Sequence, residues 1–262
     1  MWVITISIML LAAAAVLLVY MNRLAKKDLL NIVELAFEDF PCKERVSLFF
    51  ISDVHRRLIN DSLIQLAHGK VDFVLIGGDL TESGVPFERV RENLRKLKGL
   101  GPVYFIWGNN DYETDTHELD ALFVELGIKV LADEGVILES RDGGRINLLG
   151  IDFYEREERE EGFRKVMRDA DEEAFRILAS HTPSIDEVIQ REDGIRLVLS
   201  GHTHGGQIRL FCLGPYHHGG IHRAGETTVF TSNGYGTSGV PLRLGAKPEV
   251  HIIHLSRKRP IE

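Results

Sequence analysis

Five short apolar runs frame this chain: residues 46–52 (VSLFFIS), 71–76 (VDFVLI), 103–107 (VYFIW), 174–180 (AFRILAS) and 195–200 (IRLVLS). Nearly continuous apolar runs of this length read as strands buried on both faces, the pattern of a largely parallel sheet covered by helices. Each run is followed by polar residues, mostly beside glycine: Asp53-Val54-His55, Gly77-Gly78-Asp79, Gly108-Asn109-Asn110-Asp111, His181-Thr182-Pro183 and Gly201-His202-Thr203-His204. In α/β sheets the carboxyl ends of the strands are where ligands bind. Strand alternation points residues i and i+2 to one side, which would bring Asp53 to His55 and His202 to His204. A single Asp or Asn after a strand is a turn former, and a single His is usually a satisfied surface or core residue. Turn chemistry alone does not ask for such a set at matching strand ends.

Imidazole, amide and carboxylate donors without thiolate suit Mn²⁺, Fe or Zn²⁺ in a catalytic site. Seven donors are too many for one ion and right for two that share a bridge. Paired metals about 3.5–4 Å apart serve in-line displacement at phosphorus.

The remaining pattern is also α/β. Helices are expected at 58–68, at 85–97 with Pro86 near its start, at 118–126 and, briefly, near 185–190. Further strands are expected at 31–40, 135–139, 145–150, 207–211, 227–231 and 250–255. The charge-dense stretch 154–173 reads as a solvated helix with Phe163, Val166, Met167 and Ala170 turned inward; a flap over the site is the sharper alternative. With 262 residues, 44% of them hydrophobic, the chain can fill one large core. Its net charge of −8 argues against a nucleic-acid backbone as partner. Cys42 and Cys212 form no CxxC pair and read as reduced, partly buried thiols.

Residues 1–20 carry no charged side chain. As a helix they span about 30 Å, the thickness of a hydrocarbon core. No basic region precedes them, so they read as an anchor and not as a cleaved signal. Arg23, Lys26 and Lys27 follow, which by the positive-inside rule places the amino terminus outside and the large domain in the cytoplasm. The expected division is a transmembrane anchor at 1–21, a juxtamembrane segment with the first strand at 22–45, and a catalytic domain at 46–262, single-pass in the cell membrane.

In order, DVH, GGD, GNND, SH and GHTH resemble the five motifs of the calcineurin-like metallophosphoesterases, D-x-H, G-D, G-N-H-D/E, H and G-H-x-H. The resemblance runs from about residue 46 to the C-terminus. SGHTHGGQIRL and SNGYGTSGVPLRLGAKPEV resemble the bacterial membrane-associated branch. The resemblance implies a four-layer α/β/β/α sandwich, here preceded by a transmembrane helix. It implies Asp53, His55 and His204 on one divalent ion, Asn109, His181 and His202 on a second, and Asp79 bridging them. A hydroxide shared by the ions would attack phosphorus. Mn²⁺ is the first choice, with Fe or Zn²⁺ as alternatives. Gly77, Gly78 and Gly201 would let backbone approach the centre closely.

One position departs from the family pattern. Asn110 stands where many members carry a histidine that donates a proton to the leaving oxygen or holds the phosphate. Asn110 can hydrogen-bond a phosphate but is no general acid near neutral pH. Asp111, which would orient that histidine, then has no imidazole to orient. A leaving group needing little protonation, or another donor, is implied. Arg56 is the candidate phosphate clamp. The catalytic set is thus Asp79, Asn110, Asp111 and His181, with Arg56 and Asn110 toward substrate. The implied function is hydrolysis of a phosphomonoester, phosphodiester or pyrophosphate, with a lipid-linked substrate suggested by the anchor. The alternative is a weak or inactive metal-binding membrane module that acts through a partner, supported by Asn110.

Overall fold

The computed structural model describes residues 1–168, 170–211 and 213–258. The uncharged N-terminal stretch forms α1 (Trp2–Ala25), long and apolar enough to cross a membrane. Its residues up to Tyr20 are exposed, while Met21, Leu24 and Ala25 are buried against the rest of the chain. The buried end is tied down: the Arg243 N–H donates to Met21 O (3.2 Å) and Asn22 Nδ2 to Pro241 O (2.9 Å). Arg57 donates to Lys26 O and Lys27 O and pairs with Asp28 at 2.7 Å.

Two six-stranded sheets follow. The first has the order β1 (Leu30–Phe37), β12 (Val250–Arg257), β2 (Val46–Ile51), β3 (Phe73–Gly77), β4 (Val103–Ile106) and β5 (Lys129–Val130). The second has the order β10 (Gly220–Ala224), β11 (Thr227–Thr231), β9 (Ile195–Ser200), β8 (Phe175–Ala179), β7 (Arg145–Gly150) and β6 (Glu134–Glu139). Strands β2 to β5 are mutually parallel, as are β7, β8, β9 and β11.

Alternation along the strands builds the layers. In β2, Leu48 and Phe50 join Leu75, Ile106, Leu148, Ile177 and Leu197 between the sheets. Phe49 and Ile51 point the other way, into a cluster with Leu63, Leu94 and Phe123. These come from α2 (Asp61–Ala67), α3 (Phe87–Lys98) and α4 (Thr116–Leu126). The outer face of the second sheet, through Leu178 and Val198, meets Phe163 and Val166 of α5 (Arg159–Arg168). The result is the four-layer α/β/β/α sandwich. Helix starts follow local chemistry: Asn60 accepts from Ser62 N–H, and Asp115 from the N–H groups of His117 and Glu118.

Several local expectations change. The charged stretch is a solvated helix, shorter than expected, with Met167 and Ala170 packed on its cluster as anticipated. The turn near 185 is a 3₁₀ segment, Pro183–Glu187. Residues 207–211 are not a strand: Gln207 (φ 47°) and Phe211 (φ 56°) are left-handed and break the extended run into isolated bridges. Strand β10 went unanticipated because its exposed GIHRA sequence lacks an apolar face. Cys42 is a buried free thiol; Cys212 lies outside the described residues.

Candidate metal centre

The carboxyl ends of β2, β3, β4, β8 and β9 lie along one edge of the sandwich, and their loops cross-bond there. The Asp53 N–H donates to Gly78 O (3.0 Å), Val54 N–H to Asp79 O (2.7 Å) and Gly201 N–H to His181 O (3.1 Å). Eight non-glycine residues among those described have positive φ, and five are expected ligands: Asp53 (54°), His55 (51°), Asp79 (51°), His202 (69°) and His204 (50°). Left-handed backbone costs an L-residue roughly 1–2 kcal/mol. The side chains therefore converge through strained turns just beyond the strands, not through strand alternation.

Two clusters result. Asp53, His55 and His204 present donor atoms within 4.8 Å of one another, as do Asp79, His181 and His202. In the first, His55 Nε2 lies 3.1 Å from His204 Nε2, which lies 3.4 Å from Asp53 Oδ1. In the second, His181 Nε2 is 3.3 Å from Asp79 Oδ2, and the rings of His181 and His202 are 4.9 Å apart. The same Asp79 Oδ2 is 3.7 Å from His55 Nε2, so one oxygen faces both clusters.

The donor set fits cations. His181 Nδ1 is 2.8 Å from Gly77 O, so this nitrogen carries the proton and Nε2 offers its lone pair inward. His181 Nε2 and Asn109 Oδ1 are both buried without a hydrogen-bond partner. Asn109 Nδ2 donates to Asn110 Oδ1 (3.0 Å) and Asn110 Nδ2 to Glu113 Oε1 (3.1 Å). Asn110 thereby fixes which end of the Asn109 amide faces the centre.

Electrostatics agree. Burial would raise the Asp79 carboxyl, but His181 and His55 hold it well below the usual carboxylate range. Burial would lower His181, yet in the metal-free site the Asp79 charge carries it up to about 10, so a cation binding there has to displace the proton from Nε2 before it can use that lone pair. Burial, with His55 and Arg243 adding to it, pushes His204 down to about 4.

Other expected site residues sit differently. The Asp111 carboxylate accepts from the N–H groups of Asp79 (2.8 Å), Gly108 (2.9 Å) and Thr81 (3.0 Å), so it ties the β3 and β4 loops together. Arg56 Nε pairs with Glu82, and its Nη2 donates to Ser83 O (2.9 Å). A Cβ on Gly78 would lie 2.5 Å from His181 Nδ1, and one on Gly201 2.5 Å from Asp53 Oδ2; Gly77 instead faces the Phe50 ring.

Three neighbours went unnoticed in the sequence. Glu82 Oε2 is 2.9 Å from His55 Nδ1, Arg243 Nη2 is 3.2 Å from His204 Nδ1, and Arg159 adds positive charge near His202. Arg243 did leave a signal, a single cation inside the apolar stretch GVPLRLGA.

A pocket of about 260 Å³ opens over Asp79, Asn109, Asn110, His202 and His204, with Gln207, Pro215, Tyr216 and Ser238 as its wall. A larger cleft, about 740 Å³, lies near Cys42 and Tyr104 and touches none of these donors.

The family profile for calcineurin-like phosphoesterases matches residues 46–206. The chain belongs to this family. It is 41% identical to the uncharacterized protein YpbG of Bacillus subtilis, over 94% of this chain and 95% of that one. It is 31% identical to a transmembrane protein with metallophosphoesterase domain from Danio rerio, over 96% of this chain and 63% of that one. It is 27% identical to phosphodiesterase YaeI of Escherichia coli, over 79% and 81%. This calcineurin-like phosphoesterase is a metal-dependent hydrolase of a phosphoester, and the two clusters are its candidate metal sites.

Proposed function

We propose that the chain is a dinuclear phosphoesterase. Asp53, His55 and His204 would hold one divalent ion, Asn109, His181 and His202 the other, and Asp79 both. The single observation that carries this reading is the Asp79 Oδ2 atom, 3.7 Å from His55 Nε2 and 3.3 Å from His181 Nε2. Mn²⁺ is the preferred ion for this mixed imidazole, amide and carboxylate set. When bound, such ions supply Lewis acidity toward a phosphoryl oxygen and lower the pKa of water. The protein contributes a rigid, glycine-lined frame and a pocket in which Asn110 can donate to a phosphate oxygen.

Asn110 supplies no acidic proton, which favours leaving groups that depart with little help: a phosphodiester with a good leaving group, or a pyrophosphate. The name of the relative YaeI, phosphodiesterase, supports the same choice. We assign residues 1–21 to a membrane anchor and the rest to one phosphoesterase body, to which 22–45 contributes β1. Arg23, Lys26 and Lys27 support a cytoplasmic domain. The docking of α1 beside the pocket wall supports a lipid-linked substrate.

Protein purified in detergent, stripped of metal and reloaded with Mn²⁺, is expected to hydrolyse an aryl phosphodiester. Asp79→Asn is expected to abolish this turnover and lower the bound metal. No turnover of any phosphoester by a sample that holds two ions would sink the reading.

A further inference from the structure

Outside α1, most exposed large apolar side chains are scattered, but one group is contiguous. Ile208, Leu210, Phe211, Leu213 and Tyr216 stand on one loop, with Val240 beside it. Leu210 and Leu213 exchange backbone hydrogen bonds of 3.0 Å in both directions, which draws the loop together beside Phe211. Phe211 itself is 91% exposed and left-handed at φ 56°. Glycine or asparagine is the usual occupant of such backbone. An aromatic ring held on strained backbone, with its face in solvent, has no role in the domain's own packing.

The loop is rigid at its root and continuous with the anchor. The Arg209 N–H donates to Leu244 O (2.7 Å), and the Leu244 N–H to Gln207 O (2.9 Å). Gln207 Nε2 donates to Ser238 O (2.9 Å) and Val240 O (3.1 Å). The next residues of that strip, Pro241 and Arg243, bind Asn22 and Met21 where the apolar part of α1 ends. One hydrogen-bonded strip thus joins the loop to the end of the helix. Charge follows the same region: in a chain of net −8, Glu226 is the one acidic residue between Asp193 and Glu249. That spares this stretch of chain the repulsion its own carboxylates would meet at an anionic lipid surface. The root of the loop, Gln207 with Pro215 and Tyr216, is also a wall of the pocket, and the Tyr216 ring is 6.2 Å from that of His202.

We propose that Ile208, Leu210, Phe211, Leu213 and Tyr216, with Val240, seat in the interfacial layer of a lipid bilayer and bring the mouth of the pocket to headgroup level. An aromatic tip flanked by leucines, in a stretch of chain poor in carboxylates, has the chemistry of interfacial insertion. The inference uses the phosphoesterase reading only for what enters the pocket; the seat itself stands on the loop and α1.

The test uses the full chain in vesicles of dioleoylphosphatidylcholine with a minority of dioleoylphosphatidylglycerol. Phe211→Trp adds one indole to a constant background from Trp2 and Trp107. Val124→Trp, at an exposed site on α4, is the control. The added emission of Phe211→Trp is expected to shift to the blue on transfer to vesicles and to be quenched by acyl chains brominated near the headgroup; that of the control is expected to do neither. Emission from the loop indole that stays at its aqueous position and escapes quenching overturns the proposal. So does emission already blue-shifted in detergent and unquenched in vesicles, which would mean that protein, a second copy included, covers the loop. Phe211→Ser with Leu213→Ser is expected to keep full turnover of a soluble aryl phosphodiester while bromolipid quenching at Val240→Trp in the same chain weakens. Loss of soluble turnover in wild type would count against the phosphoesterase reading and leave the quenching result intact.

Discussion

Arg243 Nη2 lies 3.2 Å from His204 Nδ1, and the same guanidinium, completely buried, donates to six backbone carbonyls around it. These are Gly236 O (3.0 and 2.7 Å), Asn233 O (2.8 Å), Gly234 O (3.1 Å), His204 O (3.2 Å) and, more weakly, Ala246 O and Lys247 O (both 3.4 Å). Carbonyl dipoles, not a carboxylate, replace its water. The residue pins the last metal motif to the strip that receives the end of α1.

Replacing it therefore strands several buried carbonyls at once. Arg243→Lys is expected to lower stability by at least about 2 kcal/mol, since each unsatisfied buried group costs about 1–3. Thermal unfolding in detergent measures this. The same variant is expected to lose metal from the Asp53, His55 and His204 cluster first, read as bound Mn²⁺ per chain falling toward one.

Arg56 and His55 share Glu82. If Arg56 acts through that carboxylate, Arg56→Ala weakens metal binding more than it raises KM. Glu82→Gln, which removes the partner of His55 Nδ1, is expected to cost about 10–100-fold in metal affinity, the usual effect of losing such a support. A pure phosphate clamp would give the opposite split for Arg56: a raised KM at unchanged metal affinity.

Asn110 holds the Asn109 amide between its own Oδ1 and the centre. Asn110→Ala frees that amide to flip. About a tenfold loss of affinity for one of the two ions is expected, with the other retained. Metal titration resolved by calorimetry reads both steps.

His251 is not one of the expected ligands; it is buried with Nε2 3.0 Å from Ser232 Oγ. Burial pushes it down to about 4, against partial opposition from Glu249. An unfolded histidine titrates near its ordinary value, so between about 6.5 and 4 the unfolded chain binds a proton that the folded chain refuses. Stability is then lost as pH falls through that window, on the order of 3 kcal/mol by its lower end. Urea unfolding of metal-free protein in detergent from neutral to acid pH is expected to show a flatter slope for His251→Gln than for wild type.

Much of this was legible because buried strands advertise themselves. The apolar runs located β2, β3, β4, β8 and β9, and the polar residues after them are the ones that meet. The mechanism of meeting was not legible. Alternation suggested a shared strand face for Asp53 and His55, whereas both sit in left-handed turns whose strain is offset by tertiary bonds such as Val54 N–H to Asp79 O. Glu82 and Arg243 escaped notice for a related reason. Their parts depend on where distant loops land, 27 residues beyond His55 and 39 beyond His204; even the lone cation in GVPLRLGA does not say which loop it will meet. The break at Gln207 and Phe211 was hidden because their composition suits a strand while their backbone does not.

Only residues 26–29 separate α1 from β1, and Arg57 grips three of them. This is no leash. With α1 in a bilayer, the phosphoesterase body stands at one height and one tilt above the surface, as a plough is fixed to its frame. So held, it would not sample the solution around it; it would travel with the lipid, and its hunt for substrate would become a search in two dimensions.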